Sequence, residues 1–129
     1  MISVMERTVI LQIEDDAFLA HIYSQKLESL GFEVLLAGSG EEGLKIVSRE
    51  TPACILLDIL LPGMDGFEVL EKLKADPATS NIPVIVVSTL GQREDIEKAK
   101  GLGAAGYMIK AHISPQDVAN KVKEVLKLD

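Results

Sequence analysis

Acidic side chains at Glu14, Asp15 and Asp16, an isolated Asp58, the hydroxyls of Ser88 and Thr89, and the ammonium of Lys110 stand too far apart for one helix or loop to bridge. Each follows a short β-forming run, so they meet only if those runs become neighbouring strands ending on one edge. Gathered there, the carboxylates are unfavourable company: two of them about 5 Å apart repel by roughly 3 kcal/mol at an effective dielectric near 20. One lysine does not offset three such groups, whereas a hard divalent cation does. Oxygen donors with no histidine or thiolate beside them favour Mg²⁺ or Mn²⁺ over zinc. Magnesium keeps several waters and leaves positions open for phosphate oxygens. With the cation in place, one carboxylate can act as nucleophile towards a phosphoryl group, and Ser88 and Lys110 can bind its remaining oxygens. The chemistry suggested is transient formation of an aspartyl phosphate.

Positioning those groups requires a particular architecture, and the chain alternates two periodicities that supply it. Short β-rich runs occur at Val9–Ile13, Glu33–Leu36, Cys54–Leu57, Val84–Val87 and Tyr107–Ile109. Between them lie segments with helical spacing. The first stripes Leu19, Ile22, Tyr23, Leu27 and Leu30 and ends at Gly31. The second opens on Ser39-Gly-Glu-Glu42, a capping-box spelling, and breaks before Pro52. The third carries Phe67, Leu70 and Leu73 and stops before Pro77. The fourth runs through Ile96 and Ala99 into Gly101. The last begins Ser114-Pro115-Gln116-Asp117, a cap followed by a first-turn proline, and stripes Val118, Val122, Val125 and Leu126. Strands alternating with helices imply parallel pairing. The third and fourth strands are nearly unbroken apolar runs, as expected when helices cover both faces. Five strands are too few for an eightfold barrel. The expectation is an α/β, doubly wound, flavodoxin-like (βα)5 fold with strand order 2-1-3-4-5, whose ligands bind at the carboxyl ends of the strands.

Composition narrows the function classes. The 129 residues, 47% of them apolar, suit one domain and leave no room for a second of ordinary size. A formal charge of −7 disfavours direct binding to nucleic acid or to an anionic membrane. With 4% aromatic residues and no tryptophan, a base-stacking platform is not expected. A single cysteine, Cys54, inside an apolar run reads as a buried small residue in a reduced, cytoplasmic protein. No run approaches the ~18 apolar residues of a membrane span, and the N-terminus shows no secretory pattern.

Four motifs, each at a strand end and in this order, resemble the receiver domain of two-component response regulators: Ile13-Glu14-Asp15-Asp16, Asp58-x₃-Pro62-x₂-Asp65-Gly66, Pro83-Val-Ile-Val-Val-Ser88 and Gly106-Tyr107-Met-Ile-Lys110. The similarity covers about residues 8–127 of a single domain spanning 1–129. It implies that Asp58 is the phosphoacceptor, that Asp15 ligates Mg²⁺ with Glu14 as its partner, and that the Leu60 backbone carbonyl supplies a further metal ligand. Ser88 and Lys110 then bind the phosphoryl group, and Tyr107 is the aromatic that changes rotamer with Ser88. It further implies a phosphohistidine donor on a sensor histidine kinase or histidine phosphotransfer protein. The face built from the fourth helix, fifth strand and fifth helix would engage an effector or output domain. Such a chain is a signalling switch that takes part in its own phosphorylation, and not a turnover enzyme on metabolites.

Three positions depart from the pattern or bear on it. Lys110 precedes Ala111 where the family places a proline after a usually cis bond; a cis bond to alanine costs ~3–4 kcal/mol, so that geometry stays open. Leu60 and Leu90, each two residues beyond a site residue, stand where polar side chains in this family assist the hydrolytic water. Several residues have simpler readings. Asp16 and Asp65 are helix caps, and His21 and His112 are surface residues. Gly101-Leu-Gly103 precedes a strand and is no dinucleotide fingerprint. Rival functions fare worse. A non-phosphorylated docking module leaves the acidic pair, Asp58 and Lys110 unexplained. A flavodoxin-like cofactor binder would set three acids against a phosphate. A phosphohydrolase with an aspartate nucleophile needs a second acid at position 60, which is leucine.

Overall fold

The computed structural model describes residues 8–128. Among these, five strands alternate with five helices: β1 (Val9–Ile13), α1 (Ala17–Ser29), β2 (Glu33–Ala37), α2 (Gly40–Arg49), β3 (Cys54–Leu57), α3 (Gly66–Ala75), β4 (Val84–Ser88), α4 (Arg93–Gly101), β5 (Gly106–Ile109) and α5 (Pro115–Leu126). All strand neighbours pair in parallel, in the order β2-β1-β3-β4-β5. The expected fold and strand order are both present.

Two-residue alternation splits the apolar side chains between the faces of this sheet. Leu11, Ile13, Ile55, Leu57, Val84 and Val86 form one core with Val47 of α2, Val69, Leu70 and Leu73 of α3 and Ala99 of α4. Ile10, Cys54, Leu56, Ile85 and Val87 form the other with Tyr23 and Leu27 of α1 and Val118, Ala119 and Val122 of α5. β3 is buried at every position because it faces both cores. Edge strand β2 is half covered and leaves Leu36 exposed.

The helix ends follow local chemistry. Asp16 caps α1 by accepting from the Phe18 and Leu19 amides at 3.0 and 3.1 Å. Gly31, at φ 98°, ends the helix in the left-handed conformation that glycine adopts without penalty. Asp65 caps α3 by accepting from the Glu68 amide at 3.0 Å. Ser114 and Asp117 form a complete capping box on α5. The Ser39 spelling yields only half of one. Ser39 Oγ accepts from the Glu42 amide at 3.2 Å, but the longer glutamate side chain reaches past Ser39 and accepts from Gly38 N–H at 3.3 Å. After β5 the chain turns through a short 3₁₀ segment, Lys110–His112, and no peptide bond among the described residues is cis, that of Lys110–Ala111 included.

Candidate functional site

Parallel pairing brings the ends of β1, β3, β4 and β5 to one edge. Glu14 and Asp58 leave β1 and β3 as adjacent strand extensions, since the Asp58 amide still donates to the Ile13 carbonyl at 3.0 Å. One carboxylate oxygen each from Glu14, Asp15 and Asp58 lies within 4.8 Å of those of the other two, with Glu14 and Asp58 buried and Asp15 exposed. Lys110 reaches the same point from the end of β5. Its Nζ stands 2.5 Å from Glu14 Oε1 and 2.8 Å from Asp58 Oδ2. The second oxygen of each buried acid is held by a main-chain amide: Asp16 N donates to Glu14 Oε2 at 3.1 Å, and Leu60 N donates to Asp58 Oδ1 at 3.1 Å.

Three carboxylates share one ammonium, and the imbalance shows at Glu14 and Lys110. Burial pushes the Glu14 carboxyl above its ordinary value, helped by the Asp58 charge and opposed by hydrogen bonds from Lys110 and the Asp16 amide. Burial pulls the Lys110 ammonium down, but hydrogen bonds to Asp58 and Glu14 more than reverse it, so it is held above its ordinary value. This hard, oxygen-only donor set fits a divalent cation, which supplies the positive charge that Lys110 cannot. One consequence is measurable. A proton competes with metal at Glu14, so Mn²⁺ binding followed by electron paramagnetic resonance should begin to weaken on acidification above the ordinary glutamate value of 4.5. Glu14→Gln should bind less tightly and lose that step.

The remaining expected residues are close by. Ser88 is fully buried at the end of β4, and its Oγ accepts from the Leu90 amide at 3.3 Å. The Tyr107 hydroxyl donates to the Leu90 carbonyl at 2.7 Å. Ser88 and Tyr107 therefore both engage the backbone of Leu90, and the Ser88 hydroxyl also acts directly on the Tyr107 phenol, opposing its rise. Burial, with the Asp95 charge adding to it, raises the Tyr107 phenol, so it remains a donor at neutral pH. Leu60 has its side chain half exposed beside Asp58. Thr89 is exposed, as are His21 and His112. Cys54 is sealed in the core, where burial pushes its thiol up to about 12.

Two neighbours of the acids were not anticipated as site residues. Gln12 interrupts the apolar run of β1 and is buried, and Tyr23 lies beneath Glu14 and Asp58. A glutamine inside an apolar strand was the available signal.

The response regulator receiver domain model matches residues 10–123, and the chain belongs to that family. Over 123 residues it is 32% identical to the "Probable transcriptional regulator ycf27" of Porphyridium aerugineum, covering 95% of this chain and 50% of that one. The chain thus spans about half the length of such curated relatives. A CheY-like response regulator receiver domain protein from Methanospirillum hungatei JF-1 superposes with a TM-score of 0.86 at 32% identity, covering 93% of this chain and 94% of that one. The Mn²⁺-bound form of response regulator Rcp1 superposes with a TM-score of 0.79 at 26% identity, covering 92% and 91%. The protein is a receiver domain of two-component signalling. Receiver domains are signalling modules that bind divalent metal through acidic residues, and response regulators interact with histidine kinases. No helix among the described residues is long and apolar enough to cross a membrane.

Proposed function

We propose that Asp58 accepts a phosphoryl group from a phosphohistidine on a sensor histidine kinase or histidine phosphotransfer protein. An Asp58 oxygen bonds to phosphorus as the phosphorus–nitrogen bond of the donor breaks, and the imidazole leaves with the electron pair. Glu14, Asp15, Asp58 and the Leu60 carbonyl would hold the cation, Mg²⁺ in this reading with Mn²⁺ as a substitute. When bound, that ion offsets the carboxylate charge that would otherwise repel the phosphoryl oxygens. Lys110 and Ser88 bind those oxygens. As Ser88 turns towards them, the Leu90 amide loses its acceptor, and the Leu90 carbonyl that Tyr107 holds is free to shift. The face made by α4, β5 and α5 then presents a different surface to an effector or output domain. Residues 1–129 are read as one cytoplasmic receiver domain with no turnover of metabolites and no direct contact with nucleic acid or membrane.

The observation that carries this reading is the convergence of Glu14, Asp15, Asp58 and Lys110 on a single pocket. The Mn²⁺-bound relative supports the choice of a divalent ion. Intact-mass measurement after incubation with acetyl phosphate and Mg²⁺ tests it. Wild type should gain one phosphoryl group and Asp58→Asn none. An adduct that survives in the variant, or none in wild type, overturns the assignment.

The lifetime of the phosphoryl group follows from Leu60 and Leu90. Neither side chain can orient a water, so Asp58 should lose its phosphate slowly without a phosphatase. Introducing Leu60→Asn or Leu90→Asn should accelerate hydrolysis about tenfold, the equivalent of about 1.4 kcal/mol off the barrier. A timed dephosphorylation assay in which wild type is as fast as these variants would remove the two leucines from the explanation.

A further inference from the structure

Beneath Glu14 and Asp58, on the face of the sheet covered by α1, lies a recess of about 10 Å³ bordered by Gln12, Glu14, Tyr23, Leu56, Asp58 and Val87. That is room for about one water. Gln12 and Tyr23 are 2% and 5% exposed, so their polar atoms need partners within the protein. Gln12 Nε2 has one, donating to the Ala20 carbonyl at 3.0 Å, which directs Oε1 the other way. Neither Gln12 Oε1 nor the Tyr23 hydroxyl has a hydrogen-bond partner among the described residues. Yet no fully enclosed side-chain oxygen or nitrogen among those residues goes unpartnered. Both oxygens must therefore border open space, and the space the two residues share is this recess. Burial keeps the Tyr23 phenol protonated, and the charges of Lys110, Glu14 and Asp58 all act on it.

From these placements we infer that Gln12 and Tyr23 hold a structural water under the acidic pocket, and that through it they position the Glu14 and Asp58 carboxylates for metal. The water accepts from Tyr23 O–H, donates one proton to Gln12 Oε1 and donates the other to a carboxylate. Three hydrogen bonds are the usual complement of a buried water. The carboxylates are already tethered by Lys110, Asp16 N and Leu60 N, all approaching from the strand ends. The water adds a restraint from the interior side. Outer partners of this kind typically contribute ten- to a hundredfold to metal affinity by fixing ligand orientation. Tyr23 and Gln12 are thus positioning residues, and this role rests on the metal-site reading above.

Two measurements judge the inference. A high-resolution crystal structure of the metal-free domain should show a water within hydrogen-bonding distance of Tyr23 Oη and Gln12 Oε1, and Tyr23→Phe should lack it. In Mn²⁺ titrations followed by electron paramagnetic resonance, Tyr23→Phe should weaken binding about tenfold. Gln12→Met removes the second partner and should weaken binding similarly, and the double variant should lose no more than either alone, because both act through one water. A dry recess in wild type, an unchanged Mn²⁺ affinity in Tyr23→Phe, or additive losses overturns the inference. Failure of wild type to bind Mn²⁺ at all refutes the metal site instead, and the crystal structure still decides whether the water is there.

Discussion

Replacing Lys110 with methionine should cost the metal-free domain about 3 kcal/mol at neutral pH, and a divalent cation should return most of that loss. Lys110 Nζ touches both buried carboxylates, and the side chains of Lys110, Glu14 and Asp58 are 9%, 4% and 5% exposed. Removing one member of a buried ionic cluster leaves the others uncompensated, at a typical cost of about 3–5 kcal/mol. The lower end applies here because Asp15, the third acid, is exposed and the pocket is open to water on that side. Methionine keeps the apolar stem packed, so the change isolates the charge. A cation at about a hundred times its dissociation constant contributes about 2.7 kcal/mol through mass action. It should stabilise the variant more than wild type, where it meets carboxylates already paired with lysine. The pH dependence has a definite sign. The folded-state Lys110 value is raised, so its contribution is fully present below the ordinary 10.5 and is lost as pH rises through the higher folded value. Urea unfolding in chelator and in Mg²⁺ measures all of this. A variant as stable as wild type in chelator would mean that water entering from the Asp15 side, and not Lys110, compensates the buried carboxylates.

How much of this pocket could be read from residues alone depends on the range of the forces involved. Strand runs and helix stripes are set by burial with a fixed period, and all five strands lie within a residue of where their apolar pattern places them. Asp16 and Asp65 were legible as caps because a cap bond spans only two or three residues. The half-formed box at Ser39 was less so, since the reach of one glutamate side chain decides which amide it meets. The Lys110–Ala111 bond was open in principle and is trans. Convergence of Glu14, Asp15, Asp58 and Lys110 followed from parallel topology, which sends every carboxyl end to the same edge. The particular pairing of Lys110 with Glu14 as well as Asp58 did not follow, because it is set by differences of an ångström or two among flexible side chains. Nor did the Leu90 main chain's part in linking Ser88 to Tyr107, since backbone groups leave no mark on side-chain type. Gln12 and Tyr23 were visible as residues, the latter within a helical stripe, but their common recess exists only once α1 lies across β1.

Gly66→Ala should destabilise the domain by about 3 kcal/mol and slow its phosphorylation by acetyl phosphate about a hundredfold, although the residue carries no chemistry. Gly66 opens α3 directly behind the phosphoacceptor segment, where its amide donates to the Ile59 carbonyl at 2.8 Å. A methyl group built on it would collide with the Asp58 carbonyl oxygen and stand 2.5 Å from Ile59 Cα. Both obstacles are backbone, which no rotamer change can clear, so either α3 or the Asp58–Ile59 peptide must move. Forced overpacking of this kind costs about 1–3 kcal/mol, and rigid main-chain partners set it at the upper end. The kinetic effect follows because Asp58 is held from two sides, by Lys110 and by the Leu60 amide. A displacement near 1 Å in a reacting group can cost about a hundredfold in rate. Gly101→Ala provides the control. It is the same chemical change at the end of α4, with nothing within 4 Å of the added methyl, and should stabilise by up to about 1 kcal/mol through helix propensity alone. Urea midpoints and the rate of adduct formation, measured for both variants, separate the steric effect from any general consequence of losing a glycine. Equal stability in the two variants would mean that α3 gives way freely, and that its close seat on Asp58 does not hold the phosphoacceptor in place.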